Sequence, residues 1–311
     1  MRTVGRAVVT GATGAVGSAL VRLLLERGKE VAVLCRPDST RLHQLPRHPA
    51  LQLVPADLMQ LTNVPLEGTW DAFFHLAWMG TTGAARNDPK LQLENIRGAL
   101  EAVDLAARLH CQVFIGVGSQ AEYGRVEGRL RPETPTFPET GYGIAKLSAG
   151  QLTRLACGQK GIAHIWTRIL SVYGPGDGAQ SLVSSVLQAL LLGQEPQCTA
   201  GEQLWDYLYS EDAARALWLM AEKGTDGAVY PLGSGDARPL RDYILAMRDA
   251  VDPALPVGLG KRPYPPGQVM HLCADLTALT KDTGFVPTMP FAEGIKKTID
   301  WMKENFPPHK L

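Results

Sequence analysis

Short apolar runs alternate with amphipathic stretches through the first half of the chain. Ala7-Val8-Val9-Thr10 has the length of a strand, and from Ala15 to Glu26 the apolar positions recur at helical spacing until Gly28. Val31-Ala32-Val33-Leu34-Cys35 is again continuously apolar, which predicts a strand covered on both faces. Leu51 to Val54, Ala72 to His75, Val113 to Val117 and Ala163 to Ile169 repeat the pattern. Helical stretches from about Leu91 to Leu109 and from Tyr142 to Cys157 separate the later ones. Strand and helix in alternation predict an α/β fold with a parallel sheet wrapped on both faces.

After Gly174 the pattern breaks into shorter pieces punctuated by Pro175-Gly176, Pro253, Pro256, Pro263, Pro265-Pro266-Gly267, Pro287 and Pro290. This predicts a doubly wound, Rossmann-type domain over residues 1–174 and a smaller, substrate-binding domain over 175–311. A segment near 205–233 is expected to return to the first domain. The smaller domain would stand over the C-terminal edge of the sheet, where open α/β sheets bind ligands.

Composition narrows the picture. Apolar residues make up 45% of the chain, and Lys+Arg and Asp+Glu balance at 31 each, so no net field recruits nucleic acid or an acidic membrane. No stretch has the length and apolarity of a membrane span, and Met1 to Arg6 runs straight into the first strand, so a cytoplasmic protein is expected. Cys35, Cys111, Cys157, Cys198 and Cys273 are odd in number and contain no CxxC pair, as free thiols in a reducing compartment would be. The histidines show no ligand spacing. His75, at a strand edge, is expected to support the neighbouring loop, and no metal is predicted.

The first strand ends in Thr10-Gly11-Ala12-Thr13-Gly14-Ala15-Val16-Gly17 and opens a helix. Gly11 permits the tight turn, Gly14 lets backbone approach a pyrophosphate, and Gly17 lets helix and sheet pack closely. Around them Thr13, Ala15 and Val16 complete a loop that leads to the positive end of the helix. Preceding a second strand of the right length, this loop predicts a dinucleotide site. An acid near the end of that second strand would bind the ribose hydroxyls of NAD. Cys35 stands there instead, followed by Arg36, whose guanidinium can pair with the extra phosphate of NADP. NADP is therefore expected ahead of NAD.

Tyr142-Gly143-Ile144-Ala145-Lys146 sets a phenol and an ammonium on one helix face. A cation beside the phenol favours phenolate, so Lys146 is expected to bring the Tyr142 proton within reach of neutral pH. The strand at Val113 to Val117 leads to Ser119, which delivers a hydroxyl to the same sheet edge as the glycine loop.

Together these residues resemble the extended short-chain dehydrogenases/reductases, the nucleotide-sugar epimerases, dehydratases and 4-ketoreductases. The likeness runs through Ala56-Asp57-Leu58, His75-Leu76-Ala77, Asn95, Ser119 with Tyr123-Gly124, YxxxK and Tyr173-Gly174-Pro175. It continues through Trp205-Asp206-Tyr207, Glu211-Asp212-Ala213 and Gly284-Phe285-Val286-Pro287. It implies catalysis by Ser119, Tyr142 and Lys146, with Tyr142 as the acid–base and Ser119 on the same substrate oxygen. It implies further that Asp57 and Leu58 flank the adenine, and that Leu76 and Ala77 line the middle of the cofactor. Asn95 is counted with these cofactor residues, Lys146 would also hold the nicotinamide ribose, and Leu170 would line the nicotinamide pocket. A homodimer through the Asn95 and Tyr142 helices is implied too, which the alanine faces Ala99, Ala102, Ala106 and Ala145, Ala149, Ala156 would suit.

The chain departs from that family at places that bear on substrate. Gln120 and Ala121 occupy the positions of the Asp-Glu pair with which the dehydratases eliminate water, so dehydration is not expected. Ser171 stands where nucleotide-sugar binders carry asparagine, Trp205 where they carry arginine, and Pro265 where they carry another arginine. Arg86 and Arg262 are the cations available to replace the two lost, and Trp78 and Trp205 the rings available to stack on a base or sugar. The candidate substrate set is thus Trp78, Arg86, Ser119, Gln120, Tyr142, Ser171, Trp205 and Arg262. The expected activity is NAD(P)-dependent reduction of a nucleotide-sugar 4-ketone. The alternatives are a nucleotide-sugar 4-epimerase with tightly bound NAD and a non-catalytic NADP-binding redox sensor.

Overall fold

The computed structural model describes residues 1–305. The first half runs β1 (Arg6–Thr10), α1 (Ala15–Glu26), β2 (Glu30–Cys35), β3 (Leu51–Pro55), β4 (Ala72–His75), α2 (Pro89–Arg108), β5 (Val113–Ser119), α3 (Gly141–Lys160) and β6 (Ala163–Ile169). There follow β7 (Ser171–Tyr173), α4 (Leu182–Leu191), β8 (Leu204–Trp205), β9 (Tyr207–Tyr209), α5 (Ser210–Lys223) and β10 (Val229–Leu232). The chain continues through β11 (Arg238–Pro239), α6 (Leu240–Val251), α7 (Thr277–Thr283) and α8 (Phe291–Asn305).

Seven strands form one sheet in the order β10-β6-β5-β4-β1-β2-β3, every pair parallel. The apolar runs read from the sequence are six of these strands, all but β10. Their two faces are buried separately because side chains alternate along a strand. Val9, Phe74 and Ile115, in register across three strands, bury into a core that includes Leu20, Leu24, Leu217 and Met220 of α1 and α5. Val8, Phe73 and Phe114 bury into the opposite core with Ala102, Val103 and Ala106 of α2. A doubly wound sheet is the result. A third apolar cluster lies outside the sheet, where Val183, Leu187 and Leu190 of α4 meet Ile244 and Met247 of α6 and Ile295 and Ile299 of α8.

Two features go beyond the pattern of apolar runs. The segment after β9 returns to the sheet: α5 packs on α1, and β10 pairs with β6 as an edge strand. The fifth strand also extends past Val117, so Ser119 is its last residue and not part of a loop. The alanine faces are a correction. Ala99, Ala102, Ala106, Ala145 and Ala149 are all buried within the chain itself, because α2 and α3 pack on one another and on their own sheet. They are not available to a second copy. All five cysteines are free thiols, and only Cys35 is more than marginally exposed. Among the described residues no helix is long and apolar enough to cross a membrane.

The helix starts are set locally. Asp88 accepts from the Lys90 and Leu91 amides at the head of α2, Thr140 from Gly143 at α3, and Ser181 from Ser184 at α4. By contrast, α1 has no side-chain cap and no acid in its first turn. Its start is set by glycine. A Cβ on Gly17 would overlap the Gly11 carbonyl and lie 2.7 Å from the Ala12 Cα, and neither backbone atom can give way. Gly17→Val is accordingly expected to lower stability by about 2–3 kcal/mol in urea denaturation. An unchanged midpoint would show that the loop tolerates the bulk.

Candidate active site

The C-terminal ends of β1, β4 and β5 bring the sequence-predicted residues to one edge. At the first of these, Gly11 (φ +71) lies so close to the chain leaving β4 that a Cβ would sit 2.6 Å from the Ala77 amide nitrogen. Thr10 closes the junction: its hydroxyl accepts from the Ala77 amide and shares a hydrogen bond of 3.0 Å with His75 Nδ1. His75 supports the loop in this way. Burial is the largest influence on its imidazole and holds the pKa down to about 3, so it is neutral at physiological pH. No group of three or more His, Cys, Asp or Glu side chains that could hold a metal occurs among the described residues.

Gly14 differs from its neighbours. The nearest atom to a Cβ there is the Gly11 oxygen at 3.7 Å, so the residue faces open space. The first amides of α1, which have no intrahelical partner, open beside it with Thr13, Ala15 and Val16. An uncapped helix start beside an open glycine is a cradle that fits a pyrophosphate. Arg36 is exposed beyond β2, its Nε 3.9 Å from the Asp38 carboxylate. Arg41, which the motif reading passed over, donates to the Gly176 carbonyl and ties the segment after β2 to the loop that follows β7. Asp57 caps the turn after β3 by accepting from the Met59 amide, and Leu58 packs close to Gly98 of α2.

Tyr142 and Lys146 lie in the first turns of α3, facing the end of β5. The Ser119 hydroxyl lies close enough to the Tyr142 phenol to stabilise its phenolate, so these two catalytic candidates meet. Lys146 turns elsewhere. Its ammonium donates to the Val117 carbonyl at 2.6 Å and lies 3.7 Å from the centre of the Trp78 ring. Tyr142 meets Trp78 edge-on, their centroids 6.2 Å apart, and carries the Arg86 guanidinium 4.2 Å above its own ring. The expectation that Lys146 draws the phenol toward neutrality is corrected. Burial raises the Tyr142 pKa, and the influences opposing that rise are the Ser119 hydroxyl and the Arg86 charge.

Other assigned residues take up supporting places. Asn95 is buried, and its side-chain amide accepts from the Met79 amide and donates to the Met79 and Leu91 carbonyls, so it serves the loop after β4. Leu170 packs with Tyr123 and Leu272, and Gln120 is half-buried in the turn after Ser119. Ser171 and Trp205 are joined, the indole donating to the hydroxyl at 2.8 Å. Arg262 lies apart on the exposed segment beside Cys198, its amide bonded to the Cys198 carbonyl.

Two further residues were not singled out from the sequence. Gln92 accepts from Trp78 and donates to the Gly80 and Ala85 carbonyls. Glu122, fully buried, accepts from the Ser119 amide and pairs with Arg168 at 2.7 Å. Ser119-x-x-Glu122 is the capping-box spacing, a signal that could have found the glutamate.

A model of the NAD-dependent epimerase/dehydratase family matches residues 7–233, from β1 through β10. The chain belongs to that family. As an extended short-chain dehydrogenase/reductase it is 29% identical to the dTDP-glucose 4,6-dehydratase of Streptomyces antibioticus, over 96% of this chain and 92% of that one. The UDP-N-acetylglucosamine 4-epimerase of Methanobrevibacter ruminantium shares the fold with a TM-score of 0.89 at 24% identity, covering 98% of this family member and 100% of the epimerase. The UDP-glucuronic acid 4-epimerase of Bacillus cereus, solved with UDP-glucuronic acid and NAD, has a TM-score of 0.83 at 20% identity, covering 97% and 100%.

Burial also governs the charge on Lys146, holding its pKa down to about 7. Between that value and the ordinary lysine value the unfolded chain binds a proton that the folded chain does not, so stability rises with pH across that window. Lys146→Met should therefore exceed the wild type in stability at pH 7, by on the order of a few kcal/mol, with the gap closing toward pH 10. Denaturant titrations at several pH values test this; a gap independent of pH counts against it.

Proposed function

We propose that the protein is an NAD(P)-dependent oxidoreductase of nucleotide-linked sugars that reduces a 4-ketone. The observation that carries the reading is the approach of the Ser119 hydroxyl to the Tyr142 phenol beside an uncapped, glycine-built helix start. A bound dinucleotide would be held by Gly11, Thr13, Gly14, Ala15, Val16 and Gly17 at its phosphates, with Asp57 and Leu58 toward the adenine. Leu76, Ala77 and Leu170 would lie along its further course, with Asn95 holding the loop that Leu76 and Ala77 open. When bound it supplies the hydride. Tyr142 gives its phenolic proton to the substrate oxygen, Ser119 orients that oxygen by a hydrogen bond, and Lys146 lies close enough to hold a ribose hydroxyl.

Gln120 and Ala121 carry no acid or base, and the Glu122 carboxylate beside them is buried and committed to Arg168 and the Ser119 amide, so the elimination named for the dehydratase relatives lacks its proton carriers. Arg36 supports NADP as the dinucleotide, since its guanidinium is exposed and its carboxylate neighbour lies at 3.9 Å. The family is described as NAD-dependent, and a solved neighbour carries NAD, so NAD is the competing choice. Trp205, joined to Ser171, supports the substrate end as a stacking surface, and Arg262, on the exposed segment beside Cys198, is the cation assigned to a diphosphate. The second reading, a 4-epimerase, is favoured by the match of nearly the whole chain to solved epimerases.

Purified protein incubated with 4-keto and 4-hydroxy nucleotide sugars and either NADPH or NADH separates the readings. Reduction predicts a product heavier by two hydrogens, with one NADPH oxidised per product and a fall of about a hundredfold or more in Tyr142→Phe. Interconversion of 4-epimers without net cofactor use would assign the epimerase. An Arg36→Ser variant that binds NADPH as the wild type does would remove the case for NADP, and cofactor binding without turnover of any sugar, alike in wild type and Tyr142→Phe, would revive a non-catalytic sensor.

We also infer a homodimer. With the alanines buried inside, the large apolar side chains left outward on α2 and α3 are Leu93, Ile144, Leu152 and Leu155, exposed by 62%, 53%, 42% and 56%. An isologous contact through them would set α2 and α3 against their copies. Leu155→Glu should shift the mass in light scattering from dimer toward monomer at micromolar concentration. A wild type that is already monomeric there would refute it. Free thiols and the absence of a membrane-spanning helix among the described residues support a cytoplasmic location.

A further inference from the structure

The loop between β4 and α2 is held more firmly than its exposure requires. Two buried amides of α2 fasten it. Asn95 closes two hydrogen bonds on Met79, at 2.8 and 2.9 Å, and Gln92 donates to the Gly80 and Ala85 carbonyls, both at 3.0 Å. Gln92 also receives the Trp78 indole N–H at 2.9 Å, which sets the plane of that ring. At the far end of the loop Asn87 accepts from the Gly141 amide, joining it to the first residue of α3. Arg86 is braced as well, donating to the Thr81 carbonyl at 2.8 Å from a short 3₁₀ turn over Ala84–Asn87.

This bracing decides which cation the phenol meets. Trp78 lies edge-on to Tyr142 and offers its face to Lys146, so the ammonium is taken up by an indole and by the Val117 carbonyl. Lys146 Nζ is 5.8 Å from the centre of the Tyr142 ring, whereas the Arg86 guanidinium is 4.2 Å from it. A cation at that distance over a half-buried ring is attracted to its face and also favours the phenolate. A buried polar network is worth its desolvation where it specifies one arrangement, and here the arrangement specified is Arg86 and Trp78 against Tyr142.

We propose that Arg86 is a positioning residue for proton transfer at Tyr142: carried by the pinned loop, it seats the phenol ring and supplies the positive charge nearest to it, the part that the YxxxK spacing alone assigns to Lys146. This rests on Tyr142 being the proton donor of the reaction proposed above. The other groups facing the phenol are the Ser119 hydroxyl and Glu122 at the end of β5, and Lys146 on its own helix. An Arg86 variant leaves all three in place.

The test reads the phenol directly and needs no substrate. Tyrosinate absorbance is titrated in the wild type and in Arg86→Gln, each with a matching Tyr142→Phe control, and the difference isolates Tyr142. Loss of Arg86 should raise the midpoint by about half a pH unit to one and a half units. Lys146→Met should move it less, and Arg86→Lys should fall between wild type and Arg86→Gln. Should Arg86→Gln not accumulate as folded protein, Arg86→Met, with an apolar stem of similar reach, takes its place. A midpoint unmoved by loss of Arg86, or moved further by Lys146→Met, overturns the proposal. Once a substrate is in hand, the pH profile of kcat should shift in the same direction. Failure to find a sugar substrate would count against the proposed reaction and leave the spectroscopic result standing.

Discussion

Glu122 is buried completely at the end of β5, and its two carboxylate oxygens are shared among groups that otherwise have no reason to meet. They accept from the Ser119 amide at 2.8 Å, from the Trp166 indole at 3.0 and 3.2 Å, and from Arg168 at 2.7 Å. An ion pair out of water needs such further hydrogen bonds to offset its desolvation, and once satisfied it admits little slack. The last residue of β5 is thereby fixed to β6 at the point where its hydroxyl turns to the phenol. Trp166 fills the space left by glycines on two neighbouring elements. A Cβ on Gly118 would overlap the indole, and one on Gly150 would come within 2.8 Å of it. Strand end, neighbouring strand and α3 are thus clamped around one carboxylate.

The same scarcity of water shapes the charges beside it. His75 gives up its charge and serves as a hydrogen-bonding spacer for the glycine loop. Lys146 keeps a carbonyl and an aromatic face as its partners, and its pKa falls to about 7. Tyr142, raised by burial, is left to the Ser119 hydroxyl and the guanidinium of a loop. Each shift has one leading cause, desolvation, and the neighbours differ only in how much of it they oppose.

Much of this was legible in advance. The glycine spacing, the apolar runs and the YxxxK pair all rest on interactions within a few residues of one another, and each appears where the pattern put it. The alanine faces misled because small residues on a helix suit an internal helix–sheet contact as well as a subunit contact; here Ala99 and Ala149 are fully buried within the chain. Gln92 escaped notice because nothing in a helical pattern distinguishes a buried glutamine from a solvated one. Glu122 could have been read from its spacing to Ser119, but its pairing with Arg168, 46 positions on, could not.

What the sequence alone determined is what local periodicity and backbone freedom determine. Strands alternate with helices, a tight turn and an uncapped helix start are built where only glycine fits at Gly11 and Gly17, and a phenol, an ammonium and a hydroxyl are sent to one sheet edge. Which cation answers the phenol was decided only by the folded chain. The spacing of Tyr142 and Lys146 gives both the same helix face, yet a charge deprived of water goes to whatever partner three-dimensional packing offers. For Lys146 that partner is a carbonyl and an indole from other elements, and for Tyr142 it is an arginine held by amides that no linear pattern marks.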